Sequence, residues 1–152
     1  MTNTAQWTRT WWIALVLTVL GIIVAGYLTW LHLTDSTALC AGVGGCEDVQ
    51  YSVYANIGKI PVAAIGLLGY VAMLGVLFLE KWWSPLTPSI STLGLLGLAL
   101  VGTLFSAYLT YIEFFVLETL CPYCIASAII MVALLIVAIC RWVLLFKEET
   151  AA

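Results

Sequence analysis

TLCPYCIASAIIMVALLIVAIC, residues Thr119 to Cys140, runs 22 residues without a charged side chain and places a Cys-x-x-Cys pair near its start. A helix crosses a bilayer with about 20 predominantly apolar residues. The stretch is therefore long enough to span once, with two thiols at its mouth. Reading outward, three more uncharged runs appear: Thr10 to Thr34 over 25 residues, Ile60 to Leu79 over 20, and Trp82 to Ile112 over 31. The third contains SPLTPS, Ser84 to Ser89, and such a Pro-rich turn trims it to one span from about Ile90. The pattern predicts an all-α membrane protein, a bundle of four transmembrane helices over roughly 11–33, 60–82, 90–115 and 122–145, forming one domain over 1–152.

Composition agrees. Of 152 residues, 64% are hydrophobic and 9% charged, and the mean hydropathy is +1.12. A soluble domain of this size needs more charge on its surface. The pI near 4.8 and the lack of a basic cluster argue against a nucleic-acid partner. Span one exceeds the roughly 7–15 apolar residues of a signal-peptide core and lacks a clear small-x-small cleavage site, so it is expected to stay as an anchor.

Orientation follows from Lys and Arg. Arg9, Lys81, Arg141 and Lys147 lie at one end of the spans, and only Lys59 falls at the other. Both termini and the second loop are thus expected in the cytoplasm, with the first and third loops outside. Trp7, Trp11, Trp12, Trp82 and Trp83 fall where interfacial aromatic belts belong. Small residues recur at Gly66, Gly69, Ala72 and Gly75 on span two, and at Gly102 and Ser106 on span three. They read first as seams for close helix packing and second as room for a flat ligand.

The first outer loop, residues 35–59, is the one sizeable segment outside the spans. Its AGVGG between Cys40 and Cys46 is Gly-rich, and EDVQYSVYANIG, Glu47 to Gly58, reads as a short amphipathic helix on the membrane surface.

Topology sorts the five cysteines. Cys40, Cys46, Cys121 and Cys124 share the outer face, while Cys140 lies beside Arg141 at the other end and reads as a small apolar residue. Cys121 suits a helix N-cap and Pro122 the first turn, where its missing N–H costs nothing. The positive end of the helix favours a thiolate there, and thiolates carry out disulfide exchange. Two other readings stay open. Static disulfides suit an oxidising compartment, but a three-residue step closes too short a loop to gain much chain entropy. A four-cysteine zinc site uses similar steps, but oxidising surroundings disfavour it. Redox chemistry is preferred, with no metal. Two cysteine pairs on one face make an electron relay, and a quinone dissolved in the bilayer is the economical acceptor. The lone His32 has no second His for haem ligation and reads as interfacial.

The cysteine spacing Cys40-x5-Cys46 followed by Ser52, together with SAYLTYIEFFVLETLCPYC (Ser106 to Cys124) and the four-span plan, resembles the vitamin K epoxide reductase (VKOR) family along essentially the whole chain. The resemblance implies that Cys124 is the quinone-proximal thiol, that Cys121 resolves it and exchanges with Cys46, and that Cys40 meets an external thiol partner. Ser52 would hold the loop near the active site by hydrogen bonding.

Many bacterial members carry a fifth span and a fused thioredoxin-like domain, which this sequence lacks. A separate thioredoxin-fold (DsbA-like) partner is therefore expected. Vertebrate members have a Tyr four residues after the second Cys of the motif. Ala128 stands there, which favours quinone reduction over epoxide reduction.

The expected function is a thiol:quinone oxidoreductase in the cell (inner) membrane, its cysteines periplasmic or extracellular, with ubiquinone, menaquinone or a vitamin K-type quinone as acceptor. The alternatives are an epoxide reductase and a non-catalytic four-span scaffold. Ile65, Leu68, Tyr108 and Phe114 are the expected pocket walls beside Cys124. Glu113, near the outer end of apolar span three, reads first as a snorkelling carboxylate and second as a proton route.

Overall fold

The computed structural model describes residues 2–34, 56–57, 60–82, 88–118 and 120–151. Cys40, Cys46 and Ser52 lie outside these residues. Four helices dominate: α1 (Thr2–Leu33), α2 (Val62–Trp82), α3 (Pro88–Phe115) and α4 (Pro122–Ala151). All four are long and apolar enough to cross a membrane. α1 starts earlier, and α4 ends later, than the charge-free runs alone indicate, because helical hydrogen bonding continues past the apolar stretch.

Proline sets three of the four helix starts. α3 opens on Pro88 and α4 on Pro122, and Pro61 immediately precedes α2. A first-turn N–H has no intrahelical partner, so a residue lacking one is tolerated there. Inside the helices, Thr18 Oγ1 donates to Ala14 O at 2.7 Å and Thr29 Oγ1 to Ala25 O at 2.7 Å. These local bonds satisfy hydroxyls that would otherwise meet hydrocarbon unpaired.

Asn56–Ile57 (β1) pairs antiparallel with Ile60–Pro61 (β2), Ile57 opposite Ile60. Asn56 and Ile57 therefore depart from the helical reading of Glu47 to Gly58. The β-branched pair suits an extended ladder. The rest of that segment lies outside the described residues.

The helices form a ring in which α1 packs on α2 and α4, and α3 also packs on α2 and α4. Ala14 of α1, Leu77 of α2, Leu95 of α3 and Leu134 and Ala138 of α4 are buried at similar depth. The core fills the half of the bundle remote from Cys121, and Ala25, Leu28, Tyr70, Ile112 and Met131 continue it around the other half. Large apolar side chains such as Ile23, Leu104 and Ile136 face outward, as a lipid-facing surface allows.

At the end remote from Cys121, charges and aromatic rings bind helices together. Arg141 of α4 is fully buried and pairs with Glu80 of α2. The Trp7 ring of α1 covers its guanidinium carbon at 4.3 Å. Lys81 sits 4.4 Å from the Trp11 ring centroid, and Trp11 Nε1 donates to Leu77 O at 3.2 Å. Arg141 is thus a structural ion inside the bundle as well as a flanking cation.

The glycines divide. A Cβ on Gly102 would lie 2.8 Å from Met131 Sδ, and one on Gly21 would lie 2.2 Å from the Tyr70 ring. These two positions are close helix contacts. Gly66, Gly69 and Gly75 have nothing within 4 Å of such a Cβ, and Ala72 is exposed. The α2 stripe is therefore not a packing seam, and part of it borders open space.

Candidate functional site

The space beside Gly66 and Gly69 belongs to a cavity of about 340 Å³ in the half of the bundle nearest Cys121. All four helices line it. Its walls are mainly apolar, including Leu28, Ile65, Leu98, Phe105 and Ile112. Polar groups reach it from Tyr70, Ser127, Glu113 and Cys124. Small-molecule sites commonly combine apolar walls with few polar groups in this way.

Cys121 stands at the N-cap of α4. Its carbonyl accepts the first intrahelical bond, from Ile125 N at 3.1 Å, and Pro122 begins the helix. The thiol is buried and accepts hydrogen bonds from the Tyr123 and Cys124 N–H groups and from the Cys124 thiol. The Cys124 thiol bond is the largest influence, and it holds the Cys121 thiol below its ordinary pKa. Burial opposes it, and the backbone donors add to it. Sulfur thus takes the role that an oxygen plays in an ordinary N-cap, and the helix end favours its charged form.

Cys124, almost one turn further along α4, is half-buried and lines the cavity. In this structure both thiols are free. The two cysteines therefore differ in access: Cys121 is fully buried and off the cavity lining, and Cys124 reaches the cavity.

That connection brings in Glu113. The end of α3 closes through Val116 N and Leu117 N, which both donate to Ile112 O at 3.0 Å. Glu118 then takes a left-handed conformation, φ 50°. The returning chain sets the Cys121 N–H 3.3 Å from Glu113 Oε2. The Glu113 side chain also reaches the Cys124 thiol, whose one proton it shares with the Cys121 sulfur. Glu113 is 2% exposed, so it does not snorkel. An unpaired N–H at a helix start and a thiol replace the water it would otherwise seek.

Of the expected pocket walls, Ile65 and Cys124 line the cavity. Leu68, Tyr108 and Phe114 do not. They are 67%, 57% and 52% exposed and face outward, Phe114 along a shallow groove on the outer α3–α4 surface. Helical phase explains this: Leu68 is two residues from both Gly66 and Tyr70, about 200° around the helix. Tyr108 holds the same relation to Ser106 and Thr110. These residues were attractive for size and aromaticity, whereas position on the helix face decides.

Tyr70 is the site residue that sequence reasoning missed. It is fully buried, and its hydroxyl lies 3.1 Å from Ser127 O and 3.0 Å from Ser127 Oγ. A tyrosine at mid-span, with the ring-sized notch of Gly21 on another span, was the available signal. Cys140 is exposed on α4, well away from the cavity. His32 borders the cavity at its outer rim. Among the described residues, no cluster of three His, Cys, Asp or Glu side chains could hold a metal.

Compared with known protein families, residues 12–139 match the family model described as "Vitamin K epoxide reductase family".

Proposed function

The chain belongs to the vitamin K epoxide reductase (VKOR) family, membrane oxidoreductases acting between thiols and quinones, and we propose that it reoxidises a thioredoxin-fold partner and passes the electrons to a membrane quinone. The observation that carries this reading is the position of Cys124 on the wall of a largely apolar cavity within the bundle. A quinone head is flat and apolar with two carbonyl oxygens. The open space over Gly66 and Gly69 and the polar groups of Glu113, Tyr70 and Ser127 fit that shape and chemistry.

When bound, the quinone supplies an acceptor for two electrons and two protons. The protein supplies a dithiol. Cys124 presents the sulfur nearest the ring, and Cys121, whose charged form the helix end favours, closes the disulfide. Cys40 and Cys46 restore the dithiol by exchange, and the partner thiols restore them in turn. Cys124 lines the cavity and Cys121 does not, which supports Cys121 as the exchanging thiol. The redox face is assigned to the periplasmic or extracellular side on the Lys and Arg count.

The test is a coupled assay. Purified protein, a reduced DsbA-like partner and decylubiquinone are mixed, and quinone absorbance is followed in wild type and in single Cys→Ser variants. Loss of turnover is expected for Cys40, Cys46, Cys121 and Cys124, and normal turnover for Cys140. Unchanged turnover in Cys124→Ser would instead support a scaffold with static disulfides.

A further inference from the structure

We infer that Glu113 is a catalytic proton carrier, taking the thiol proton of Cys124 and delivering it to the ring oxygen of the bound quinone. This rests on the thiol:quinone reading and specifies its proton chemistry. Three observations carry it. Glu113 is buried at 2% exposure. It contacts both members of the pair, through the Cys121 N–H at 3.3 Å and the Cys124 thiol. It also lines the same cavity as Cys124.

Charge conservation in a low-dielectric site gives the reason. Oxidation of a Cys121 thiolate and a Cys124 thiol forms one S–S bond and releases two electrons and one proton. The quinone takes two electrons and two protons to become a hydroquinone. A proton leaving Cys124 for bulk water would strand charge inside the bundle, which is costly. A carboxylate already touching the thiol accepts it and, facing the cavity, releases it to the reduced ring. The second proton comes from water and equals the one Cys121 gave up on ionising.

Other titratable groups bordering this space are His32 of α1, Tyr70 of α2 and Cys124 of α4, with Cys121 beside Cys124 at the helix start. Tyr70 is engaged with Ser127, and His32 lies at the rim. Among the described residues, Glu113 is the one carboxyl lining the cavity.

Glu113→Gln tests this, because the amide oxygen can still accept the Cys121 N–H. Two half-reactions are measured in protein reconstituted in lipid nanodiscs. Reduction of the Cys121–Cys124 disulfide by dithiothreitol should persist, changed only as far as the shifted Cys121 acidity requires, and it reports an intact fold. Reduction of decylubiquinone by the dithiol form should slow about 100-fold or more near neutral pH. The deficit should narrow as pH rises and hydroxide replaces the carrier.

A readout without quinone comes from iodoacetamide modification of Cys121. The Glu113 carboxylate raises the Cys121 pKa, so Gln should move the alkylation midpoint to lower pH. An unshifted midpoint would mean that Glu113 is protonated at rest, and would overturn the inference. An unchanged quinone rate, a deficit equal at every pH, or loss of the dithiothreitol reaction would overturn it too. If wild type itself fails to reduce the quinone, the parent reading fails first, and the alkylation midpoint still reports on Glu113 separately.

Discussion

The sulfur of Cys121 acts as a helix cap, and this ties its acidity to its neighbour. The Cys124 thiol is the largest influence lowering the Cys121 pKa. In reduced protein, iodoacetamide should therefore modify Cys121 with a midpoint below that of an ordinary thiol. Cys124→Ala should move that midpoint upward. The sign is that of any acid whose charged form is hydrogen-bonded: the thiolate persists to lower pH and is lost as pH falls through the lowered value. Mass spectrometry of the modified peptide across a pH series checks it, and a midpoint that Cys124→Ala leaves in place would contradict the hydrogen bond. The spacing of Cys121, Pro122 and Cys124 already announced a capped helix with a reactive mouth. Glu113 was visible as an oddity, but its burial was not. Its partners are a backbone N–H and a thiol eight and eleven positions further on, and only the return of the chain at Glu118 brings them together.

At the scale of the elements, the four helices were legible because hydrocarbon demands long uncharged runs and proline marks where they begin. Helix faces were less legible. In a chain this apolar, the cavity-facing and lipid-facing sides of a helix differ little in composition, so Leu68, Tyr108 and Phe114 looked as suitable as Ile65. Glycine shows the same ambiguity, and two substitutions separate its meanings. Gly21→Ala forces a methyl group into the Tyr70 ring. The cost should be about 1–3 kcal/mol, read as a lower temperature of unfolding in detergent, with displaced Tyr70 weakening quinone use. Gly66→Leu adds bulk where nothing lies within 4 Å of the first atom. It should leave the unfolding temperature nearly unchanged and raise the KM for quinone, because it fills space rather than displacing protein. A destabilised Gly66→Leu protein with normal KM would contradict the placement of the ligand beside α2.

For the whole molecule, the two ends of the bundle are built differently. One end is closed by Arg141, Glu80 and Trp7, the other holds a cavity. Arg141 and Glu80 close spans four and two in the sequence, where opposite charges at matched ends were the available sign of pairing. Arg141 alone was legible only as an orientation signal. Arg141→Met leaves Glu80 without its partner and should cost about 3–5 kcal/mol, while replacing both with Met should recover most of that. Thermal unfolding of the two single variants and the double variant measures the difference. Equal losses in all three would mean that the pair contributes packing alone.

Trp7, Glu80 and Arg141 come from α1, α2 and α4. Among the described residues the third helix adds no side chain to that knot; its foot is held by packing, with Ser91, Thr92, Leu95 and Ala99 buried, and its polar ties, Thr103 Oγ1 to Met131 O at 3.4 Å and Glu113 to the Cys121 N–H, lie in its middle and far portions. Three staves are lashed at the foot by charge and rings, and the fourth is held there by packing alone. Bilayer thickness and lateral pressure should therefore act on α3 before the others. Spin labels at the exposed positions Leu104 and Ile23, compared in thin and thick bilayers, should report more movement than a pair on α1 and α2. That same stave carries Glu113, so any shift of α3 against α4 would change the distance between this carboxyl and the Cys121 N–H.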